Sequence, residues 1–182
     1  MRHFLLPSIK NSIKHNQFAC NPRPGSGTTS ALVQLQHKIL QHLDTPGAVR
    51  ILSADFSKAF DKLPQSTGII NACLQLELDP CLFRFVSSFL ANRMQRISYN
   101  NSFSDWCRVS SGVPQGYVLG PVLFCLVMND LSFCCPNSHL IKYADDVLIL
   151  HFLKCSSDDS LQLEWNFLVS WSNCVNRPSL KL

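Results

Sequence analysis

Hydrophobic and polar positions alternate along this chain in runs of two distinct periods. Ala31, Leu32, Leu35, Ile39, Leu40 and Leu43 recur at helical spacing with Gln34, Gln36, Lys38 and Gln41 between them, which predicts a core-facing helix. Thr28 or Thr29 is its expected cap, and Thr45-Pro46-Gly47 ends it. Val49 to Phe56 is nearly all apolar until Asp55, the pattern of a strand buried on both faces, with a carboxylate at its C-terminal end. Ile69, Ile70, Cys73 and Leu76 make a helical face after Pro64. Asp79-Pro80 supplies the cap and first turn of the next helix, which buries Leu82, Phe83, Val86, Phe89 and Leu90. Met94 to Tyr99 and Phe103 to Ser110, divided by Asn100-Asn101-Ser102, predict a hairpin carrying Arg93, Arg96 and Arg108, an arginine cluster suited to phosphates.

Ser111-Gly-Val-Pro-Gln-Gly116 is a loop whose glycines let backbone approach a ligand, with the Gln115 amide in reach of a base or sugar. Leu119 to Leu131 is apolar almost all round, hence a central buried helix. Ile141 to Leu150 reads as two aliphatic strands around a tight tip bearing Asp145 and Asp146. Ser156-Ser-Asp-Asp159 starts a last helix lined by Leu161, Trp165, Leu168 and Trp171.

Composition narrows the class. At 46% hydrophobic and 15% charged, the chain is a folded globular one. The apolar stretch Val118 to Met128 is too short to span a bilayer and Met1 to Pro7 lacks the apolar core of a signal peptide, so no membrane is expected. Nine cysteines, an odd number without a Cys-x-x-Cys spacing, read as reduced intracellular thiols acting as small core hydrophobes. Six histidines lack a zinc spacing and read as surface residues. Residues 1–50 hold six bases against Asp44, whereas residues 111–182 hold four bases against six acids. That asymmetry suits a basic part facing phosphates and an acidic centre holding metal.

Adjacent carboxylates are costly unless water, a cation or protonation relieves them. A strand end at Asp55 and a hairpin tip at Asp145 and Asp146 bring three carboxylates from 90 residues apart onto one patch. Three carboxylates can hold two Mg²⁺ ions about 3.5–4 Å apart, the arrangement for nucleotidyl transfer.

The segments Ala54-Asp-Phe-Ser-Lys-Ala-Phe-Asp61, Ser111-Gly-Val-Pro-Gln-Gly116 with Val118-Leu-Gly-Pro-Val-Leu-Phe124, Asn129-Asp-Leu131 and Tyr143-Ala-Asp-Asp146 together resemble the reverse transcriptase domain of non-LTR (LINE-type) retrotransposons, most of all jockey-like elements. Weaker matches run from about Gln17 to Trp171. The resemblance implies an α/β (α+β) right-hand palm: an antiparallel sheet backed by helices, with partial fingers and no thumb. Residues 1–47 would be the partial fingers and 48–182 the palm, with the helix and hairpin of 80–110 near the fingers. Its implied activity is RNA-directed DNA polymerisation, from deoxynucleoside triphosphate to a primer 3′-hydroxyl. Asp55, Asp145 and Asp146 would be catalytic metal ligands for two Mg²⁺ ions, with Mn²⁺ as a substitute and the Phe56 carbonyl as a further ligand. Phe60 would screen the sugar 2′ position, and Gln115 and Gly116 would line the nucleotide and template. Arg93 and Gln95 match a family segment near the hairpin and, with Arg23 in the Pro22 to Gly27 loop, are the expected nucleic-acid contacts. The implied partners are an RNA template, a DNA primer and deoxynucleoside triphosphates; the implied location is intracellular, and nuclear by family alone. Gln65 stands where the family has histidine, and Tyr117 stands where serine is usual, which would crowd the loop beside the nucleotide. The first fingers motif and the thumb are expected to lie outside this stretch.

Two other readings compete. A catalytically inactive retroelement remnant would at most bind nucleic acid. A metal-dependent nuclease would use similar acids but gives no reason for Phe60 or the Pro-Gln-Gly loop.

Overall fold

The computed structural model of the chain describes residues 9, 12–21, 23–44, 47–133, 135–153 and 160–175. Helix α1 (Thr28–Leu43) leads into strand β1 (Ala48–Ala54), followed by the short helix α2 (Ala59–Lys62), a π-helical turn (Gln65–Ile70), α3 (Asn71–Gln75) and α4 (Pro80–Leu90). Four two-residue strands follow: β2 (Met94–Gln95), β3 (Ser98–Tyr99), β4 (Ser102–Phe103) and β5 (Cys107–Arg108). Then come α5 (Leu119–Met128), β6 (Ser138–Tyr143), β7 (Asp146–Leu153) and α6 (Ser160–Val175).

The principal sheet is antiparallel with order β1-β7-β6. Because β7 is central, it pairs along its length with both neighbours, from Ala54↔Val147 to Ala48↔Leu153 on one side and from Tyr143↔Asp146 to Ser138↔His151 on the other. β1 is therefore an edge strand rather than one buried on both faces. Among the described residues β1 pairs with β7 alone, and Ile51 is 50% exposed with Arg50 also exposed. Side chains alternate across the sheet. Leu52, Ala54, Leu140, Val147 and Ile149 join the main core, whereas Val49, Ile141, Tyr143, Leu148, Leu150 and Phe152 pack with Ala31, Leu35 and Ile39 of α1. Exposed Leu32, Leu40 and Leu43 show that α1 uses only part of its apolar stripe. Gly27, not a threonine, occupies its cap position, and no side chain caps it.

The main core forms around α5, of which every residue except Pro121 is buried, as its unbroken apolar pattern requires. Asp79 accepts from the backbone N–H groups of Cys81 and Leu82, with Pro80 in the first turn, so the expected cap of α4 holds. The hairpin of 94–108 turns through Asn100 and Asn101, both left-handed (φ 44 and 59), with Ser102 in β4. Asparagine tolerates that conformation better than most residues. The capping segment at 156–159 lies outside the described residues. Among those residues no helix is long and apolar enough to cross a membrane.

Lys142 and His151 are among the polar side chains buried in the described residues. Lys142 is wholly buried, and its ammonium donates to the carbonyls of Met128 (2.7 Å) and Leu131 (2.9 Å) beyond the end of α5. Burial pushes it down to about 7. His151 is also wholly buried, between the hydroxyls of Ser138 (3.0 Å) and Ser160 (3.3 Å), so at this position a surface histidine is not what the chain has. Cys73, Cys125 and Cys135 are buried, as expected of core thiols, while Cys81 and Cys107 are exposed. Burial pushes Cys73 up to about 11. A hydrogen bond with Cys20, reinforced by burial, pushes Cys125 higher still.

Candidate active site

The register of the sheet decides what meets at its end. Ala54 is the last residue of β1 and lies opposite Val147, so Asp55 emerges beside the turn joining β6 and β7. That turn is Ala144-Asp145, with Ala144 left-handed at φ 53; Asp146 already belongs to β7, paired with Tyr143. The tip is thus displaced by one residue from the Asp145-Asp146 pair expected from sequence. A non-glycine residue held at positive φ is a local strain that the surrounding strands must compensate.

Asp55 and Asp145 line one cleft of about 490 Å³, together with Phe56, Lys58, Phe60, Asp61 and Gln115. Asp55 is exposed and Asp145 half-buried. Asp146 opens elsewhere, into a cavity of about 270 Å³ on the α1 side of the sheet, with Thr28, Ala31, Leu35, Ser53 and Tyr143. The cause is the two-residue period of a strand, which gives Asp146 the same side as Leu148 and Leu150. The expected patch of three carboxylates is therefore a pair in one cleft with the third across the sheet. Among the described residues no group of three histidine, cysteine or acidic side chains is close enough to hold a metal ion. The donor chemistry still fits Mg²⁺, which commonly takes one or two carboxylates plus substrate phosphates and waters.

The other expected residues divide likewise. Phe60 is half-buried, and its ring stacks on Phe124 of α5 with centroids 4.4 Å apart, which fixes it as a wall of the cleft. Phe56 is buried and packs toward Trp171; its carbonyl accepts the Ala59 N–H at 3.2 Å, leaving one lone pair for another partner. Gln115 donates through Nε2 to Asp61 Oδ1 at 2.5 Å. Gly116 is left-handed at φ 78 beside it, exposed, with open space where a Cβ would stand.

A second cavity, of about 520 Å³, adjoins the first across the Asp61–Gln115 pair and includes Arg93, Gln95, Arg108, Ser110 and Ser111. Arg93 lies over the rings of Phe89 (5.1 Å) and Tyr117 (5.5 Å). Arg96 stands apart from that cavity, stacked over Phe103 (4.0 Å) and Trp106 (4.7 Å). Tyr117 does not crowd the cleft: it packs edge-on against Phe89 at 5.6 Å and lines neither cavity. Arg23 is not displayed in its loop either, because its guanidinium turns back to donate to the Ile13 carbonyl at 2.5 Å. Gln65 donates to the Gly112 carbonyl at 3.0 Å.

Sequence reasoning assigned no role to Lys58 and Asp61, which share the cleft with Asp55. Lys58 is left-handed (φ 55) at the start of α2, which turns the chain back beneath the strand end. The available signal was their short spacing from Asp55 across a turn-forming segment.

Comparison with known proteins gives this geometry a context. The chain matches the family model described as reverse transcriptase (RNA-dependent DNA polymerase) over residues 3–177. It is 30% identical over 160 residues to a probable RNA-directed DNA polymerase from transposon BS of Drosophila melanogaster, covering 82% of this chain and 17% of that protein. A second relative, a probable RNA-directed DNA polymerase from transposon X-element of the same fly, is 30% identical over 75% of this chain and 15% of its own length. The RNA-directed DNA polymerase from mobile element jockey of Drosophila funebris is 26% identical over 82% of this chain and 18% of its length. This chain thus spans under a fifth of each of these relatives. Among solved structures, apo telomerase from Candida tropicalis superposes with a TM-score of 0.71 over 99% of this chain and 34% of that one, at 11% identity. That likeness establishes the fold, an antiparallel sheet backed by helices as expected of a polymerase palm.

Proposed function

This chain belongs to the reverse transcriptase family, and from that membership we propose that its cleft adds deoxynucleotides to a DNA primer end on an RNA template. The observation that carries the proposal is the convergence of Asp55, Phe60, Gln115 and Asp145, from three separate motifs, on one cleft. Asp55 and Asp145 are the carboxylates that would hold Mg²⁺, or Mn²⁺ in its place. Bound there, the metal supplies positive charge to the phosphates and lowers the pKa of the attacking 3′-hydroxyl. Phe60, fixed by its stack on Phe124, forms a flat apolar wall suited to exclude a 2′-hydroxyl. Gln115 offers a polar amide at the other wall. Arg93, Arg108 and Gln95 line the adjoining cavity, where phosphates of the template or primer would be held as positioning contacts. The assignment of residues 1–47 to fingers and 48–182 to palm, and action at nuclear DNA, belong to the same proposal.

One observation favours a second reading, a folded relative that binds nucleic acid without polymerising: Asp146 lies across the sheet from the carboxylate pair. Extension of a DNA primer on an RNA template separates the two. Metal-dependent extension that disappears in Asp55→Ala supports polymerisation, and primer–template binding without extension supports the second reading.

A further inference from the structure

The Ser111–Gly116 loop lies along the segment that follows Asp55. Gly112 N–H donates to the Leu63 carbonyl (2.7 Å), Val113 N–H to the Phe60 carbonyl (2.8 Å), and the Gln65 amide to the Gly112 carbonyl (3.0 Å). The approach is close enough to demand glycine: a Cβ on Gly112, at φ 80, would stand 2.6 Å from the Asp61 carbonyl oxygen. These bonds fix the loop's backbone without the Asp61 carboxylate. That carboxylate acts on something else, the Gln115 side chain, whose Nε2 it accepts at 2.5 Å. Both side chains are exposed, so the contact contributes little to folding, yet the pair forms the wall shared by the two cavities.

The chemistry of this contact fixes the orientation of the amide. An ionised carboxylate only accepts hydrogen bonds, so the NH₂ group of Gln115 must face Asp61 and the amide oxygen must face away. Among the described residues that oxygen has no partner. We propose that Asp61 is a positioning residue: it turns the Gln115 amide so that the cleft presents an acceptor, selecting a nucleoside group that donates a hydroxyl or amino hydrogen. The proposal rests on the polymerase reading of the cleft. It treats Asp61 as an orienter rather than a further metal ligand, consistent with its not grouping with Asp55 and Asp145.

The test is equilibrium binding of a deoxynucleoside triphosphate to the full chain, loaded with Mg²⁺ and a 3′-dideoxy-terminated DNA primer on an RNA template. Asp61→Ala is expected to weaken binding by about tenfold, a loss on the scale of one charge-assisted hydrogen bond. Asp61→Glu keeps the acceptor and should restore binding to within about threefold of wild type. The double variant Asp61→Ala with Gln115→Ala should bind no more weakly than Gln115→Ala alone, because Asp61 acts only through Gln115. Independent, additive losses, or unchanged binding in Asp61→Ala, would overturn the proposal while leaving the polymerase reading standing. A wild-type chain that holds the primer–template but takes up no deoxynucleotide would overturn both.

Discussion

Asp145 and Asp146 are adjacent in the chain and open onto opposite sides of the sheet, the first into the cleft of Asp55 and the second into the cavity beside α1. The left-handed Ala144 places Asp145 at the turn and leaves Asp146 as the first residue of β7. Two carboxylates of the same type thereby face different cavities, and on the polymerase proposal their contributions should be unequal.

That inequality is measurable. Asp145→Asn should lower primer extension by at least about 10³-fold, since it removes a charge on which metal-assisted chemistry depends. Asp146→Asn should cost no more than about tenfold. Extension rates of the two variants at saturating Mg²⁺ decide it, and equal losses would contradict the placement of Asp146.

Phe60→Ala should have two effects. Its stack on Phe124 is lost, lowering stability by about 2–4 kcal/mol. Its wall is lost as well, so the preference for deoxynucleotides over ribonucleotides should fall by at least about tenfold. Competition between the two triphosphates in one extension assay, run well below the variant's melting temperature, reports the second effect separately.

Much of this fold is legible in the sequence because the relevant signals are local. Asp79-Pro80 names its helix start, the aliphatic runs around residue 145 name a hairpin, and the unbroken apolar run of α5 names a buried helix. What escapes is set by tertiary neighbours. The apolar run at 49–56 reads as a doubly buried strand, but sheet order makes β1 an edge. Alanine's residue type carries no sign that Ala144 will take the turn, so the tip is misplaced by one position. Lys142 and His151 look like surface groups until the helix end and the hydroxyls that receive them are known. At the site, the residue types of Asp55, Asp145, Phe60 and Gln115 are visible in short motifs. Their sharing of a cleft, the loss of Asp146 from it and the Asp61–Gln115 contact depend on strand register and loop docking between distant segments.

Lys142 gives the chain a particular pH response. Its buried ammonium titrates near 7, against a usual 10.5, so between those values the unfolded chain binds more protons than the folded one. Stability therefore rises with pH across that window, while below it both states are charged and the burial penalty is felt in full. Lys142→Met removes the group. Thermal unfolding of both proteins from about pH 6 to 10 should show wild type gaining on the variant as pH rises. Parallel curves would contradict the assignment.

The arginines should differ as their surroundings do. Arg93→Ala, in the cavity beside the loop, should weaken binding of primer–template and reduce the salt slope of its affinity by about 1. Arg96→Ala, whose guanidinium stacks on Phe103 and Trp106, should leave that slope within about 0.3 of wild type. Binding measured across a salt series checks both.

The most direct test is incorporation of deoxynucleotides onto a DNA primer annealed to RNA, with Mg²⁺, by the wild-type chain and by Asp145→Ala, each first shown to be folded by circular dichroism. Extension by the wild type that disappears in the variant is the predicted result. Equal extension by both, or a wild-type chain that binds the primer–template and leaves it unextended, would contradict the assignment of the Asp55–Asp145 cleft as a polymerase site.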